Sequence, residues 1–427
     1  MRKFIIGWRQ VGACLVLLAA GAMIASVYSV VAVPLAKEFQ PSRMVLMLAM
    51  TIMSMVGGAL SPILGSQMDR RSLRGMMFLG AGLLSVGFVA LSFATSFTQV
   101  LIVYGLFMAP ANVLIGPMAA SVLISRWFVR RRGAAIGIAI TGVALGGFFF
   151  PPLIQGLLDF FSWRDAFRLL GLIIGLMTFP AVALVINTPA ERGLHPDGVE
   201  PDPEAVRALA AQPVLTSRQV LADPTFWCAA LVFAVVLSGM KGMVTNLVPL
   251  ALDEGIKPTV AALLISIYSA CGFVAKFSFA VVSDRLNMRT LLFVSLAGFA
   301  TGAILLTRAD MGYAVIATGV GLIGLFGGLM VPTQGLFIPR VYGAGAAGRV
   351  GGLMSFVTLC ALLSTPPIFG LIFDLTGNYD AIFLSFAVLA VGVMLVVPRI
   401  RLPQRPAPTA RDGEGTGVAL PVAVERP

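Results

Sequence analysis

Twelve long apolar runs follow one another along this 427-residue chain. A helix that crosses the hydrocarbon core of a bilayer needs about 20 apolar residues, and each run is of that order. The runs lie near 11–33, 44–64, 76–95, 98–122, 134–158, 166–186, 225–252, 259–282, 290–307, 311–335, 349–373 and 380–398. With 58% hydrophobic and 11% charged residues, the chain has more apolar surface than a soluble domain could cover. We therefore expect an all-α membrane protein with about twelve transmembrane helices in a lipid bilayer.

Basic residues are distributed unevenly among the segments between the runs. If the N-terminus is cytoplasmic, the segments on that side contain 22 of the 30 Lys and Arg, the other side contains 6, and two lie inside runs. This excess is typical of cytoplasmic loops, so we predict that both termini are cytoplasmic. The same distribution explains the net charge of +11 without a nucleic-acid partner. The first run follows Arg2, Lys3 and Arg9 like a secretory signal, but an uncleaved first helix is the better interpretation.

An internal repeat relates the two halves of the chain. A shift of 215 residues superposes Pro-Leu, Asp-Arg and Pro-Pro pairs, which are rare coincidences in an apolar sequence. The matching pairs are Pro34-Leu35 with Pro249-Leu250, Asp69-Arg70 with Asp284-Arg285, Arg74 with Arg289, and Pro151-Pro152 with Pro366-Pro367. Six runs per half give equivalent helices the same direction across the membrane. The halves are therefore predicted to be parallel repeats, related by a pseudo-two-fold axis along the membrane normal.

The polar motifs at the membrane boundary resemble those of a known transporter family. The segment from Gly65 to Arg74 resembles the loop between the second and third helices of the major facilitator superfamily, and Ser283 to Arg289 is a weaker copy. The stretch from Gly142 to Pro152 is similar to that family's fifth-helix glycine–proline motif. The resemblance implies two pseudo-symmetric six-helix bundles. We place them at 1–187 and 224–398, joined by a cytoplasmic linker at 188–223 and followed by a disordered cytoplasmic tail at 399–427.

A narrower resemblance is to the monocarboxylate transporter and oxalate:formate antiporter group. It rests on Trp127-Phe128 before Arg130-Arg131-Arg132-Gly133-Ala134, on Asn246-Leu-Val-Pro249-Leu250 before Gly255, and on the stretch from Asp374 to Tyr379. In that group the eighth helix carries a basic residue for the substrate carboxylate, and Lys276 falls in the matching segment, where arginine is usual. Asn246 stands where relatives often have a histidine, which removes the obvious proton carrier.

Two lysines lie well inside the apolar runs, on the seventh and eighth. Lys241 and Lys276 have Ser26 and Ser61 as their repeat equivalents, so they are additions to one half. A buried ammonium needs a negative partner or must lose its proton, and intramembrane charges usually mark function. We expect one or both lysines to bind an anionic substrate. The alternative is that a lysine stem extends to the membrane interface.

Four polar residues are further candidates for the substrate site. Asn112 and Asn246 could hydrogen-bond a substrate or a neighbouring helix, and Tyr28 could do likewise. Tyr268, Gly272 and Lys276 are spaced by four residues, so they share one helix face.

The Asp-Arg motifs are predicted to act in gating, by resemblance. Asp69, Arg70 and Arg74, with Asp284, Arg285 and Arg289, would hold the two halves together at the cytoplasmic side in one state and part in the other. The alternative is that they satisfy only their own loops.

Enzymatic and metal chemistry have no candidate residues here. His195 is the only histidine and lies in a polar linker, the four cysteines are isolated, and no run has Asp or Glu near its middle. We expect no cofactor, no catalysis and a monomer. The predicted function is transport of a small organic anion across the cell inner (cytoplasmic) membrane, by proton symport or anion exchange. A proton-driven exporter of drugs or siderophores remains the alternative, although such a carrier would normally hold a membrane carboxylate.

Overall fold

The computed structural model describes residues 2–41, 43–198, 215–283, 286–376 and 379–402. Twelve of its helices are long and apolar enough to cross a membrane, and the described part of the chain has no β-strand. In chain order these helices, α1 to α12, are Arg2–Phe39, Arg43–Arg70, Leu73–Leu91, Phe97–Trp127, Arg132–Phe160, Trp163–Ala183, Pro224–Asp253, Pro258–Val282, Met288–Leu306, Tyr313–Val341, Ala347–Thr376 and Asp380–Met394. The predicted number and order of spans are confirmed.

Two of the twelve helices are irregular at equivalent places. Helix α4 contains a π-helical turn at Tyr104–Met108 and breaks at Gly116, whose ψ of −169° is extended. Pro117 then restarts the helix, because proline fits the first helical turn. Helix α10 contains the corresponding π-helical turn at Ile323–Gly327. Such turns within α-helices are common at functional sites.

Glycines allow the helices within each bundle to approach closely. In the first half, Gly142 and Gly146 of α5 face the backbone of α1, and a Cβ at either position would overlap a carbonyl oxygen there. In the second half, α7 packs on α11, where Gly242 faces the side chains of Thr365 and Phe369. Small residues at helix interfaces are the usual basis of packing in membranes, where no hydrophobic effect drives helices together. The expected pair of six-helix bundles is confirmed.

The helices end at two differently charged faces. We call the end that holds Asp69, Arg126, Arg132 and Arg349 the basic end. At the opposite end, Arg164 binds Glu38 at 2.6 Å and stacks on the Trp163 ring, while the Trp163 indole N–H also donates to Glu38. This cluster ties the extension of α1 to the start of α6.

Candidate functional site

Asp69 lies at the end of α2 and reaches the other half of the protein. Its two carboxylate oxygens accept the backbone N–H groups of Gly348, at 2.8 Å, and Arg349, at 2.7 Å. These donors belong to the first turn of α11, where the helix itself provides no partners for N–H groups. A carboxylate at this position is also favoured by the helix dipole. Asp69 therefore caps a helix of the opposite bundle.

The backbones of α2 and α11 touch beside this cap. A Cβ at Gly65 would overlap the carbonyl oxygen of Gly348, and a Cβ at Gly352 would overlap that of Ser61. A second pair of helices, α5 and α8, meets where a Cβ at Gly137 would come 2.7 Å from the Cα of Ala280. The two halves are thus in backbone contact at the basic end along both seams.

Two arginines that sequence reasoning did not select accompany Asp69. Arg126 of α4 donates to the Met68 carbonyl at 2.7 Å, next to the Asp69 cap. Arg349 is only 3% exposed, and one of its Nη atoms has no hydrogen-bond partner among the described residues. In the sequence both were ordinary loop charges. Arg126 is covered by α2 of its own bundle, whereas Arg349 lies beside the α2–α11 seam.

The other predicted gating residues have local surroundings. Arg70 is exposed. The Arg74 backbone N–H donates to the Asn187 side chain at 2.8 Å, and its guanidinium lies 5.7 Å from the Phe78 ring centroid, all within the first bundle. Arg289 donates to the Ile400 carbonyl at 3.1 Å, within the second bundle. Asp284 and Arg285 lie outside the described residues.

Lys276 lies on α8 one turn before the closed seam. Ala280, four residues later, meets Gly137 of the first half, while Gly272 and Ala275 pack on α10. Lys276 is half-buried between these two directions. The most exposed apolar side chains of α8, which suit lipid, point about 100–160° away and belong to Leu263, Val274, Phe277 and Val281. Lys276 therefore faces the space between the halves.

The Lys276 ammonium lacks a partner in the part of the chain that the structure describes. No carboxylate lies within 4.0 Å of it, and none of its hydrogens is donated to a protein acceptor. An ammonium at the centre of a spanning helix costs about 2.5–3.5 kcal/mol on insertion scales, and Lys276, six residues before the end of α8, carries part of that cost. Its position can therefore hold an anion by both charge and hydrogen bonds.

Lys241 faces away from its own bundle. Its neighbours on α7 point inward: Gly239 meets α9 and α12, Met240 meets α10, and Gly242 meets α11. A residue 200° around the helix from Gly239 must point to the opposite side, and Lys241 is accordingly exposed. Asn246, one turn after Gly242, donates its amide to the Gly242 carbonyl at 2.8 Å.

The remaining polar candidates differ in how much of their hydrogen-bonding capacity is used. The Tyr28 hydroxyl donates to the Leu46 carbonyl of α2, so it joins two helices of the first bundle. The half-buried Asn112 side chain lies near Gly21 of α1, and its amide makes no hydrogen bond to the described residues. The same holds for the hydroxyl of the half-buried Tyr268 on α8. Asn112 and Tyr268 thus keep free polar groups.

The two halves separate beyond the closed seam. Phe148 follows Gly137 by eleven residues, about three turns or ~16 Å, and points in nearly the same direction. It is nevertheless 72% exposed. On α8, Phe273 and Ser269 share the side of Ala280 and are exposed as well. The space beside Lys276 is therefore closed toward the basic end and widens toward the opposite end.

Sequence comparison places this geometry in a known family. The profile of the Major Facilitator Superfamily matches residues 13–358 and 238–424. Monocarboxylate transporter 11 of Mus musculus is 30% identical over 355 residues, covering 80% of this chain and 76% of the relative. Monocarboxylate transporter 12-B of Danio rerio is 29% identical over 378 residues, covering 82% and 78%.

Solved structures share the fold at low sequence identity. The E. coli fucose:proton symporter has a TM-score of 0.69 at 16% identity, covering 93% of this chain and 99% of that one. A proton:xylose symporter has a TM-score of 0.73 at 12% identity, covering 94% and 97%. The chain is thus a multi-pass membrane transporter, which belongs to the major facilitator superfamily and, within it, to the monocarboxylate transporter group.

Proposed function

We propose that this protein carries a small organic anion, of the monocarboxylate type, across the cytoplasmic membrane by alternating access. Lys276 binds the substrate carboxylate, and Lys241 on the adjacent helix α7 adds a second positive charge to the same space. Both termini face the cytoplasm, so the basic end is the cytoplasmic end and the described conformation is open to the outside.

The observation that carries this proposal is the position of Lys276. Its ammonium has no protein partner among the described residues, faces the space between the halves, and lies one turn from the seam where α5 meets α8. A visiting carboxylate would remove the cost of an uncompensated charge in the membrane. When the halves rock, a site at this seam opens to each side in turn.

Polar groups around the lysines give the site its further contacts. Asn112 and Tyr268 have unused hydrogen-bonding groups and can contact a substrate. Asn246 and Tyr28 already donate hydrogen bonds to backbone carbonyls, so they shape the space and are weaker candidates for direct binding. Asp69 holds the cytoplasmic side closed through the α11 cap, whereas the contacts of Arg74 lie within the first bundle.

The same charged residues determine how transport of the anion could be coupled to a proton or to a second anion. A symporter would take up a proton with the anion, whereas an exchanger would keep the lysine charged and return a second anion outward. Two relatives of the same fold are proton symporters for sugars by name, which supports proton coupling only at the level of the fold. A proton-driven exporter of drugs or siderophores is the second candidate, and the lack of an acidic residue near the middle of any predicted span argues against it.

The test is uptake of a panel of labelled carboxylates into proteoliposomes, with and without a pH gradient. Lys276→Ala should lower the apparent affinity for the best substrate about 10- to 100-fold, the range for losing a charge-assisted hydrogen bond. Lys276→Arg should retain part of the uptake, because the charge is kept while the donor geometry changes.

Lys257→Ala is the matched control, because Lys257 precedes α8 and is exposed. Equal uptake by Lys276→Ala and Lys257→Ala would refute the binding site. Expulsion of cationic dyes, without uptake of any carboxylate, would refute the proposed anion transport and support the proton-driven exporter.

A further inference from the structure

A separate cavity lies at the basic end of the first bundle, away from the space between the halves. It has a volume of about 320 Å³ and is lined by Arg9, Arg74 and Arg192 and by the apolar Ile6, Leu184 and Ile186. The three arginines come from the start of α1, the start of α3 and the segment after α6. All three arginines are exposed, so three separate elements present positive charge at the open mouth of one cavity.

These guanidinium groups have no countercharge in the described part of the chain. None has a carboxylate within 4.0 Å, and the side chains of Arg9 and Arg192 make no hydrogen bond there. The Arg74 guanidinium lies 5.7 Å from the centroid of the Phe78 ring. Guanidinium groups bind phosphate oxygens with paired hydrogen bonds, so the cavity matches a phosphate-bearing anion.

The position of the cavity indicates what carries the phosphate. The apolar spans begin at Ile6 and Leu73 and end at Ala183, so the cavity lies at the membrane boundary. Leu184, in its wall, is 45% exposed, and the outer helices α3 and α6 expose further leucines at Leu79 and Leu176. A ligand with a phosphate head and apolar chains would cover both the arginines and this apolar surface.

In the second bundle, the arginine at the equivalent position bonds to its own half. Arg289, the repeat equivalent of Arg74, donates to the Ile400 carbonyl after the end of α12. Arg74 makes no such bond to the segment after α6, and only its backbone N–H reaches Asn187. Among the described residues, Arg289 is therefore satisfied by its own half, whereas the Arg74 guanidinium keeps its hydrogen-bond donors for a ligand.

We propose that the cavity between the ends of α1, α3 and α6 binds the phosphodiester headgroup of an anionic phospholipid. Arg9 and Arg192 clamp the phosphate, Arg74 contributes a third charge, and the acyl chains lie along α3 and α6. Basic pockets between transmembrane helices at the cytoplasmic side are suited to such headgroups. This site is independent of the transported substrate.

The test compares retention of phosphatidylglycerol and phosphatidylcholine by the purified full chain, using native mass spectrometry after dilution of mixed lipid. Phosphatidylglycerol should be retained preferentially. Each surface arginine contributes about fivefold, so Arg192→Gln should weaken retention about fivefold, and Arg9→Gln with Arg192→Gln about thirtyfold. Arg71→Gln with Arg218→Gln removes the same charge from exposed positions outside the cavity and should change little.

Two results would overturn the proposal. One is equal loss of phosphatidylglycerol in the cavity variant and the charge-matched control, which would indicate a diffuse electrostatic effect. The other is displacement of the lipid by an excess of inorganic phosphate, which would indicate a site for a small anion. Because Arg192 follows α6 in an exposed segment, the single variant tests the site without loss of the fold.

Discussion

At the scale of single residues, contacts that join distant segments determine what a charge does. Glu38 ends the long helix α1 and Arg164 begins α6, yet they form an ion pair at 2.6 Å that the Trp163 ring covers. The hydrogen bond from Arg164 holds the pKa of Glu38 below its usual value. A carboxylate with a lowered folded-state pKa stabilises the protein above its unfolded-state pKa of about 4.3, and that contribution is lost as the pH falls through the folded value.

Glu38→Gln should therefore lower thermal stability at pH 7 and lose its effect at low pH. The amide can still accept a hydrogen bond, but it carries no charge, so the difference from the unmodified protein should shrink steadily below about pH 4. The difference in thermal stability between Glu38→Gln and the unmodified protein is measured by thermal unfolding in detergent, in steps from pH 3 to 7. Asp310→Asn removes an exposed carboxylate at the same end and should show no such trend. A Glu38→Gln difference that is constant with pH would contradict the ion-pair account.

Sequence reasoning could select residues whose chemistry is unusual for their position. Lys276 was predictable because an ammonium within an apolar run is costly wherever the helix packs. Arg349 and Arg126 were not, because at a helix end an arginine is ordinary until another helix covers it. Tyr28 could be selected from the sequence as a polar residue in an apolar run, but its partner could not. That partner, the Leu46 carbonyl, is known only from the packing of α1 against α2.

At the scale of elements, the glycines of α5 distinguish the helix face that contacts α1 from a face without a packed neighbour. Gly146 faces the backbone of α1, whereas a Cβ at the adjacent Gly147 would meet nothing within 4 Å. Gly146→Ala should destabilise the protein by about 1–3 kcal/mol, the usual cost of overpacking. Gly147→Ala should be neutral or slightly stabilising, because alanine favours the helix. Thermal unfolding of the two variants, under the same detergent conditions, makes the comparison, and equal effects would contradict the close approach of α1 and α5.

The number and order of the helices were predictable, but their irregularities were not. The runs give length and polarity, which fix how many spans there are. The π-helical turns at Tyr104–Met108 and Ile323–Gly327 share a Gly-Leu-Phe triplet at an offset of 219 residues, not 215. A four-residue difference is one helical turn, so the repeat changes register within α4 and α10. The Gly-Leu-Phe triplet was the sequence signal for the two π-helical turns. An alignment of the halves at the single shift of 215 residues does not superpose it.

At the scale of the whole molecule, the sequence specifies two bundles but not the state in which they meet. The proposed alternating access requires a closed seam on each side in turn, so the same sequence would have to be compatible with both arrangements. The described structure closes the basic end through α2 with α11 and α5 with α8. The resemblance of the Asp69 motif to a gating loop drew attention to this end, and the gating role itself stays a prediction. The partner, the first turn of α11, is visible only in the folded structure.

The Asp69 cap should determine how stable this closed seam is. Asp69→Asn leaves one acceptor oxygen and removes the charge. Hydrogen bonds to charged groups contribute about 1.5–3 kcal/mol. The equilibrium between the conformations with a closed and an open basic end should therefore move about 10- to 100-fold toward the open one. Spin labels at Arg71→Cys and Arg218→Cys, in a background without the natural cysteines, report the separation of the halves as a distance distribution. Asp165→Asn is the control, since Asp165 pairs with Arg168 inside one bundle at 2.9 Å. A distribution that Asp69→Asn leaves unchanged would mean that the glycine contacts alone hold the seam, because Gly65, Gly348 and Gly352 keep the backbones in contact without the carboxylate.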